Sequence, residues 1–143
     1  METGLSRIRE IFQLSELPPG QYSPLTLAFL GDAVYEMVIR SIVVTGRNQA
    51  VSKFHRETIH LVNAGVQARM AKTLREVFTE EEKAVYRRGR NAKAATSAKN
   101  ASIGEYRSAT GFEAVLGYLY LQEKYERIYE LIRLSLPETV PEK

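Results

Sequence analysis

The sequence predicts an all-α fold of six or seven helices, and three observations carry that prediction. Apolar residues recur at three- and four-residue spacing through nearly every long segment. No run alternates apolar and polar residues as a half-buried strand would. Helix-start signals stand at Ser23-Pro24, Thr79 to Glu82 and Ser102 to Glu105, each just ahead of such a periodic run. A chain of 143 residues that is 44% hydrophobic, with only five prolines, can bury the core of one domain spanning residues 1–143.

Taken in order, residues 5–16 predict a short amphipathic helix with Leu5, Ile8, Ile11 and Phe12 on one face, ended by Pro18-Pro19-Gly20. Ser23 is placed to cap, and Pro24 to open, a central helix running to about Gly46. A helical region follows over about 49–78, carrying Phe54, Ile59, Leu61, Val62, Val66, Met70 and Leu74, with a break near Asn63-Ala64-Gly65. Thr79 and Glu82 form a capping box for a helix ending near Arg90-Asn91. Residues 92–101 are rich in Ala, Ser, Thr, Lys and Asn without apolar periodicity, so a mobile loop is expected. Ser102 and Glu105 form a second capping box, opening a helix that carries Phe112, Val115, Leu116 and Leu119. Tyr125, Ile128, Leu131, Ile132 and Leu134 define the last helix before the tail at Pro137.

The central helix is the informative one. From Leu25 to Arg40 it is apolar on nearly every side, the pattern of a helix enclosed in a core. Yet Asp32 and Glu36 stand one turn apart and project from one face. An unpaired buried carboxylate costs several kcal/mol, so such an acid needs a cation, a metal or a water-filled cleft. The window Leu25–Val44 has the length of a membrane span, but Asp32, Glu36 and Arg40 would each cost about 2.5–3.5 kcal/mol near a bilayer centre. A membrane location is therefore disfavoured. The absence of cysteine and of a secretory leader fits a cytoplasmic protein.

A second apolar helix also carries an acid, Glu113. Small residues, Ala28, Gly31 and Ala33 on one helix and Gly111, Ala114 and Gly117 on the other, would let the two backbones approach and bring Asp32 to Glu113. Two carboxylates at close range repel, and a hard cation with oxygen ligands, Mg²⁺ or Mn²⁺, relieves that repulsion. The competing reading pairs Asp32 or Glu113 with Arg40 or Arg107. From Lys83 to Asn100 the charged residues are Lys83, Arg87, Arg88, Arg90, Lys93 and Lys99, with no acid among them. Such a run suits a phosphate backbone, or else a solvated helix end whose cations favour the C-terminal dipole. The net charge of +3 does not choose between them. His55 and His60 lie five apart, on different helix faces, which argues against a two-histidine metal site. Tyr35, Tyr118, Tyr120, Tyr125 and Tyr129 are read as packing. No Gly-rich phosphate loop or nucleophile elbow is present.

Phe29-Leu30-Gly31-Asp32-Ala33-Val34-Tyr35-Glu36 resembles the ribonuclease III signature, and Phe112-Glu113-Ala114-Val115-Leu116-Gly117 resembles that family's second catalytic stretch. The similarity is greatest to the stand-alone Mini-ribonuclease III group. It covers residues 22–133, including Arg88-Gly89-Arg90-Asn91-Ala92-Lys93 and Tyr106-Arg107-Ser108-Ala109-Thr110-Gly111. The resemblance implies an α-helical endonuclease domain, without an appended double-stranded-RNA-binding domain, that acts as a homodimer. Its implied substrate is double-stranded RNA, cut with Mg²⁺ to leave 5′-phosphate and 3′-hydroxyl ends, with the 23S ribosomal RNA precursor as target. Asp32 and Glu113 match the catalytic, metal-binding acids. Glu36 matches a supporting acid, and Arg87, Arg88, Arg90, Lys93 and Lys99 fall in the RNA-gripping segment. The dimer interface is expected on the apolar surface of the Asp32 helix. Larger ribonuclease III enzymes have acids where this chain has Ala28 and Thr110, and Mini-ribonuclease III looks like this chain at both; Thr110 is assigned a supporting role. A ribosomal protein presenting the substrate is compatible with the resemblance. Two other readings stay open, a non-catalytic duplex-RNA-binding scaffold of the same fold and an all-α protein-interaction module.

Overall fold

The computed structural model describes residues 4–92 and 102–137. Among them lie seven α-helices and no strand: α1 (Gly4–Ile11), α2 (Pro24–Val44), α3 (Val51–Val62), α4 (Ala64–Leu74), α5 (Glu80–Asn91), α6 (Ile103–Leu121) and α7 (Tyr125–Ser135). A 3₁₀ turn, Pro19–Gln21, leads into α2. The expected starts are present. Ser23 accepts from the Thr26 amide, and both capping boxes close, at Thr79–Glu82 and Ser102–Glu105. Asn63 both ends α3 and caps α4, its side chain accepting from the Val66 amide at 3.0 Å.

α6 occupies the centre, with α2, α4, α5 and α7 packed on it. A helix enclosed in this way has no side left for a polar stripe, which accounts for its uniform apolarity. α2 crosses α6 at backbone contact. A Cβ at Gly31 would lie 1.7 Å from the Glu113 carbonyl oxygen, and one at Gly117 would lie 2.0 Å from that of Leu27. The small-residue contact therefore forms, but by fewer residues than expected. Ala33 is exposed, and Gly111 and Ala114 instead accommodate α5, where Gly89 and Tyr86 press against them.

The inner face of α2, Leu27, Gly31, Tyr35, Ile39 and Val43, is buried at four-residue spacing. Tyr35 links three more helices. Its hydroxyl donates to the Leu61 carbonyl at 2.5 Å and to the Met70 sulfur at 3.2 Å, and its ring meets Phe112 edge-on at 5.5 Å. Tyr120 and Tyr125 also pack edge-to-face, whereas Tyr129 is exposed.

Two expectations need correction. The outer face of α2 is not in a core: Leu25, Phe29, Met37 and Val44 are exposed, Phe29 at 83%. And α1 stops at Ile11, where Gln13 turns to φ +53°, rather than running to the prolines. Of its predicted apolar face only Leu5 is buried; Ile8, Ile11 and Phe12 are exposed. α1 is held by polar contacts instead. The Leu5 amide donates to the Tyr125 hydroxyl, Ser6 donates to Glu123, and Arg9 donates to the Leu121 carbonyl.

Candidate metal centre and nucleic-acid interface

Because Gly31 lies on the Glu113 backbone, the next residue, Asp32, is delivered beside the Glu113 side chain. Asp32 is exposed and Glu113 half-buried, and the two carboxyls lie near enough that Asp32 raises the Glu113 carboxyl. Burial, the hydrogen bond to Asp32 and the Asp32 charge, in that order, push the Glu113 carboxyl up to about 8, while a hydrogen bond from Gln67 acts in the opposite direction. With its carboxyl raised to about 8, Glu113 keeps its proton near neutral pH when no cation is bound.

The alternative pairing with arginine is not what forms. Arg40 bonds Glu36, at 2.7 Å from Nη2 and 3.2 Å from Nε. Among the described residues, neither Asp32 nor Glu113 has an ion-pair partner. Glu36 therefore shares a helix with Asp32 but is engaged elsewhere, and among the described residues no group of three or more acids or histidines is arranged to hold a metal ion. Thr110, one turn before Glu113, is buried and donates its hydroxyl to the Tyr106 carbonyl at 3.0 Å. Two hard oxygen donors that repel each other, one of them open to solvent, fit a Mg²⁺-like ion that keeps several waters. They do not fit a fully protein-ligated zinc site.

Of the basic segment, Arg88 and Arg90 sit on the last turn of α5 and Arg87 just before it. This end of α5 is pinned to α6, where a Cβ at Gly89 would lie 2.8 Å from the Gly111 Cα, on a different face of α6 from Glu113. Arg87 and Arg88 are exposed; Arg88 donates to the Tyr22 carbonyl at 3.4 Å. Arg90 lies over the Tyr86 ring at 5.9 Å. Lys83 belongs to a different contact, 3.5 Å from Glu80. Lys93 and Lys99, with the loop expected over 92–101, lie outside the described residues from 93 onward. His55 and His60 are both exposed and form no metal cluster among the described residues.

One contributor is missed by sequence reasoning. Gln67 of α4 is only 3% exposed, and its Nε2 donates to Glu113 Oε2 at 3.2 Å. The signal for it is an amide placed in register with Met70, Ala71 and Leu74, where helical spacing calls for an apolar residue.

Comparison with known proteins gives the family. The ribonuclease III domain family matches residues 25–124, a span that contains both acids. A Mini-ribonuclease 3 of Thermoanaerobacter sp. is 48% identical over 114 residues, 80% of each chain. That of Clostridium tetani is 48% identical over 117 residues, 81% of this chain and 78% of the relative. That of Thermosynechococcus vestitus is 41% identical over 129 residues, 89% and 84% respectively. A crystal structure of a Fusobacterium nucleatum protein superposes with a TM-score of 0.72 at 35% identity, covering 80% of this chain and 91% of that one. Among the described residues no helix is long and apolar enough to cross a membrane.

Proposed function

This chain belongs to the ribonuclease III domain family as an endoribonuclease of the Mini-ribonuclease 3 type, and from that premise we propose that it cuts double-stranded RNA with Mg²⁺ as a homodimer. Its proposed cytoplasmic task is maturation of the 23S ribosomal RNA precursor, leaving 5′-phosphate and 3′-hydroxyl ends, with a ribosomal protein as a candidate presenter of the substrate. We assign residues 1–143 to one catalytic unit. The observation that carries the reading is the contact between Asp32 and Glu113, drawn from distant parts of the chain and lacking an ion-pair partner among the described residues.

In this reading Asp32 and Glu113 hold the metal, with Mn²⁺ able to substitute. When bound, Mg²⁺ supplies the Lewis acidity that lowers the pKa of a water and offsets charge building on the scissile phosphate. To act as a ligand Glu113 gives up the proton it holds against Asp32, so ion binding releases protons below about pH 8 and weakens as pH falls. Thr110, its hydroxyl committed to the Tyr106 carbonyl, supports the turn of α6 that carries Glu113. Glu36 acts at one remove, holding Arg40 away from the pair. Purified protein incubated with long duplex RNA and with precursor ribosomal RNA, with Mg²⁺ or with chelator, tests the whole reading. Mg²⁺-dependent products support it; binding without cutting would replace it with the scaffold reading.

Arg87, Arg88, Arg90, Lys93 and Lys99 are assigned to the phosphate backbone, since A-form duplexes are read by shape and backbone. Changing both Arg88 and Arg90 to Ala is expected to weaken duplex binding for all sequences. The slope of log affinity against log salt should flatten by about one unit for each phosphate that is no longer neutralised. Binding titrations over a salt series measure this, and an unchanged slope removes both residues from the interface.

The homodimer reading rests on the outer face of α2. Leu25, Phe29 and Met37 stand at four-residue multiples and expose an apolar stripe on the helix that carries Asp32. A contiguous stripe of this kind marks an interaction surface. A second copy meeting it would set two cutting sites against one duplex, one for each strand. Phe29→Glu is expected to convert the dimer to monomer by light scattering, with the helical circular-dichroism signal kept; a dimer that persists would place the interface elsewhere.

A further inference from the structure

We propose that Gln67 is a positioning residue for Glu113, holding that carboxylate in the orientation a divalent cation requires and thereby setting ion affinity. The inference rests on the metal-site reading above. Gln67 sits on α4 among Met70, Ala71 and Leu74, all fully buried, at a position where helical spacing calls for an apolar side chain. A buried primary amide is costly unless its polar atoms are bonded. Its Nε2 donates across the interface to Glu113 Oε2 at 3.2 Å. The amide has therefore a specific partner, and that partner is one of the two acids.

The choice of an amide matters. A lysine or arginine here would neutralise Glu113 and compete with a cation for it. A second carboxylate would add to the repulsion from Asp32. An amide N–H fixes the rotation of the carboxylate plane while leaving its negative charge in place, and engages one oxygen only. Glu113 is otherwise a flexible side chain, whose ordering on ion binding would cost rotamer entropy. Outer partners of this kind commonly decide affinity as much as the ligands do.

The test uses the full chain and Mn²⁺ alone as probe. Gln67→Met keeps volume and helix preference but removes the donor. In calorimetric titration without RNA, its Mn²⁺ affinity is expected to fall about tenfold, at the lower end of the 10–100-fold typical of removing such a partner. In cleavage assays the Mg²⁺ concentration for half-maximal rate should rise by the same factor. The rate should recover as Mg²⁺ is raised, with KM for duplex RNA unchanged; an unfolded fraction would show no such rescue. Gln67→Asn, one methylene too short to reach, should behave alike, and it serves if the Met variant does not fold. Unchanged Mn²⁺ affinity in the folded variant, alongside an Asp32→Asn protein that no longer binds the ion, overturns the role of Gln67 alone. A wild-type protein that binds no Mn²⁺ overturns both the inference and the metal-site reading.

Discussion

Glu113→Gln is expected to abolish cleavage and, in the same protein without metal, to raise thermal stability at alkaline pH. The first effect follows from removing one of the two proposed anionic ligands; Asp32→Asn should do the same, and each variant should still bind duplex RNA when Ca²⁺ replaces Mg²⁺. The second follows from linkage. In the folded protein the Glu113 carboxyl is raised to about 8 from an ordinary value of 4.5, burial being the main cause. Between those two values the folded state holds a proton that the unfolded chain has released. Its stability therefore falls as pH rises through this window and levels off above it. The full penalty is on the order of a few kcal/mol. Glutamine keeps the neutral form at every pH: its amide can donate to Asp32 as the carboxylic acid did, and its carbonyl can accept from Gln67. Melting curves of wild type and variant at pH 5 and pH 8.5 should converge at the lower pH and separate by several degrees at the higher. Mg²⁺ at pH 8.5 should restore the wild type and leave the variant unmoved. Parallel curves at both pH values would mean that the Glu113 carboxyl is not raised in the folded protein.

How legible this arrangement is from sequence depends on whether the deciding interaction is local. Helices α2, α5 and α6 begin where Ser23, Thr79 and Ser102 say they should, because a cap is satisfied within three residues of itself. The convergence of Asp32 and Glu113 can be anticipated because Gly31 and Gly117 are removed side chains, and a missing Cβ in an apolar helix leaves room for another backbone. Glu36–Arg40 is also local, an i,i+4 pair in the favourable order, yet the same stretch holds Asp32, and sequence alone leaves Arg40 open to either acid. α1 is hard to read for the opposite reason. Its place is set by Tyr125 and Glu123, more than a hundred residues away, and these polar contacts turn Leu5 inward while leaving Ile8, Ile11 and Phe12 exposed. Gln67 stays hidden because an isolated amide in an apolar register looks like tolerated noise until its partner on α6 is known.

Gly117→Ala is expected to unfold the protein, although alanine is the better helix former by about 1 kcal/mol. The added methyl would lie 2.0 Å from the Leu27 carbonyl oxygen and 2.9 Å from its carbon. Overpacking a core by one methyl usually costs about 1–3 kcal/mol, because a neighbouring side chain can swing aside. Here the obstacle is main chain inside α2, which cannot rotate away without breaking its own hydrogen bonds. The two longest helices must part by more than an ångström, loosening Tyr35 against Phe112 and Leu27 against α6 together. Against a total stability of about 5–15 kcal/mol for a domain, that loss is decisive. Gly31→Ala should be as severe and adds a functional consequence, since its methyl would strike the Glu113 carbonyl. Any molecules that still folded would carry Asp32 and Glu113 at the wrong separation. Gly20→Ala is the control: nothing lies within 4 Å of its Cβ position, so its melting temperature and activity should match the wild type. Circular dichroism and thermal melts of the three variants decide the matter. A cooperative melt near the wild-type temperature for Gly117→Ala would show that α2 and α6 do not meet backbone to backbone, and with that crossing would go the geometry that brings the two acids together.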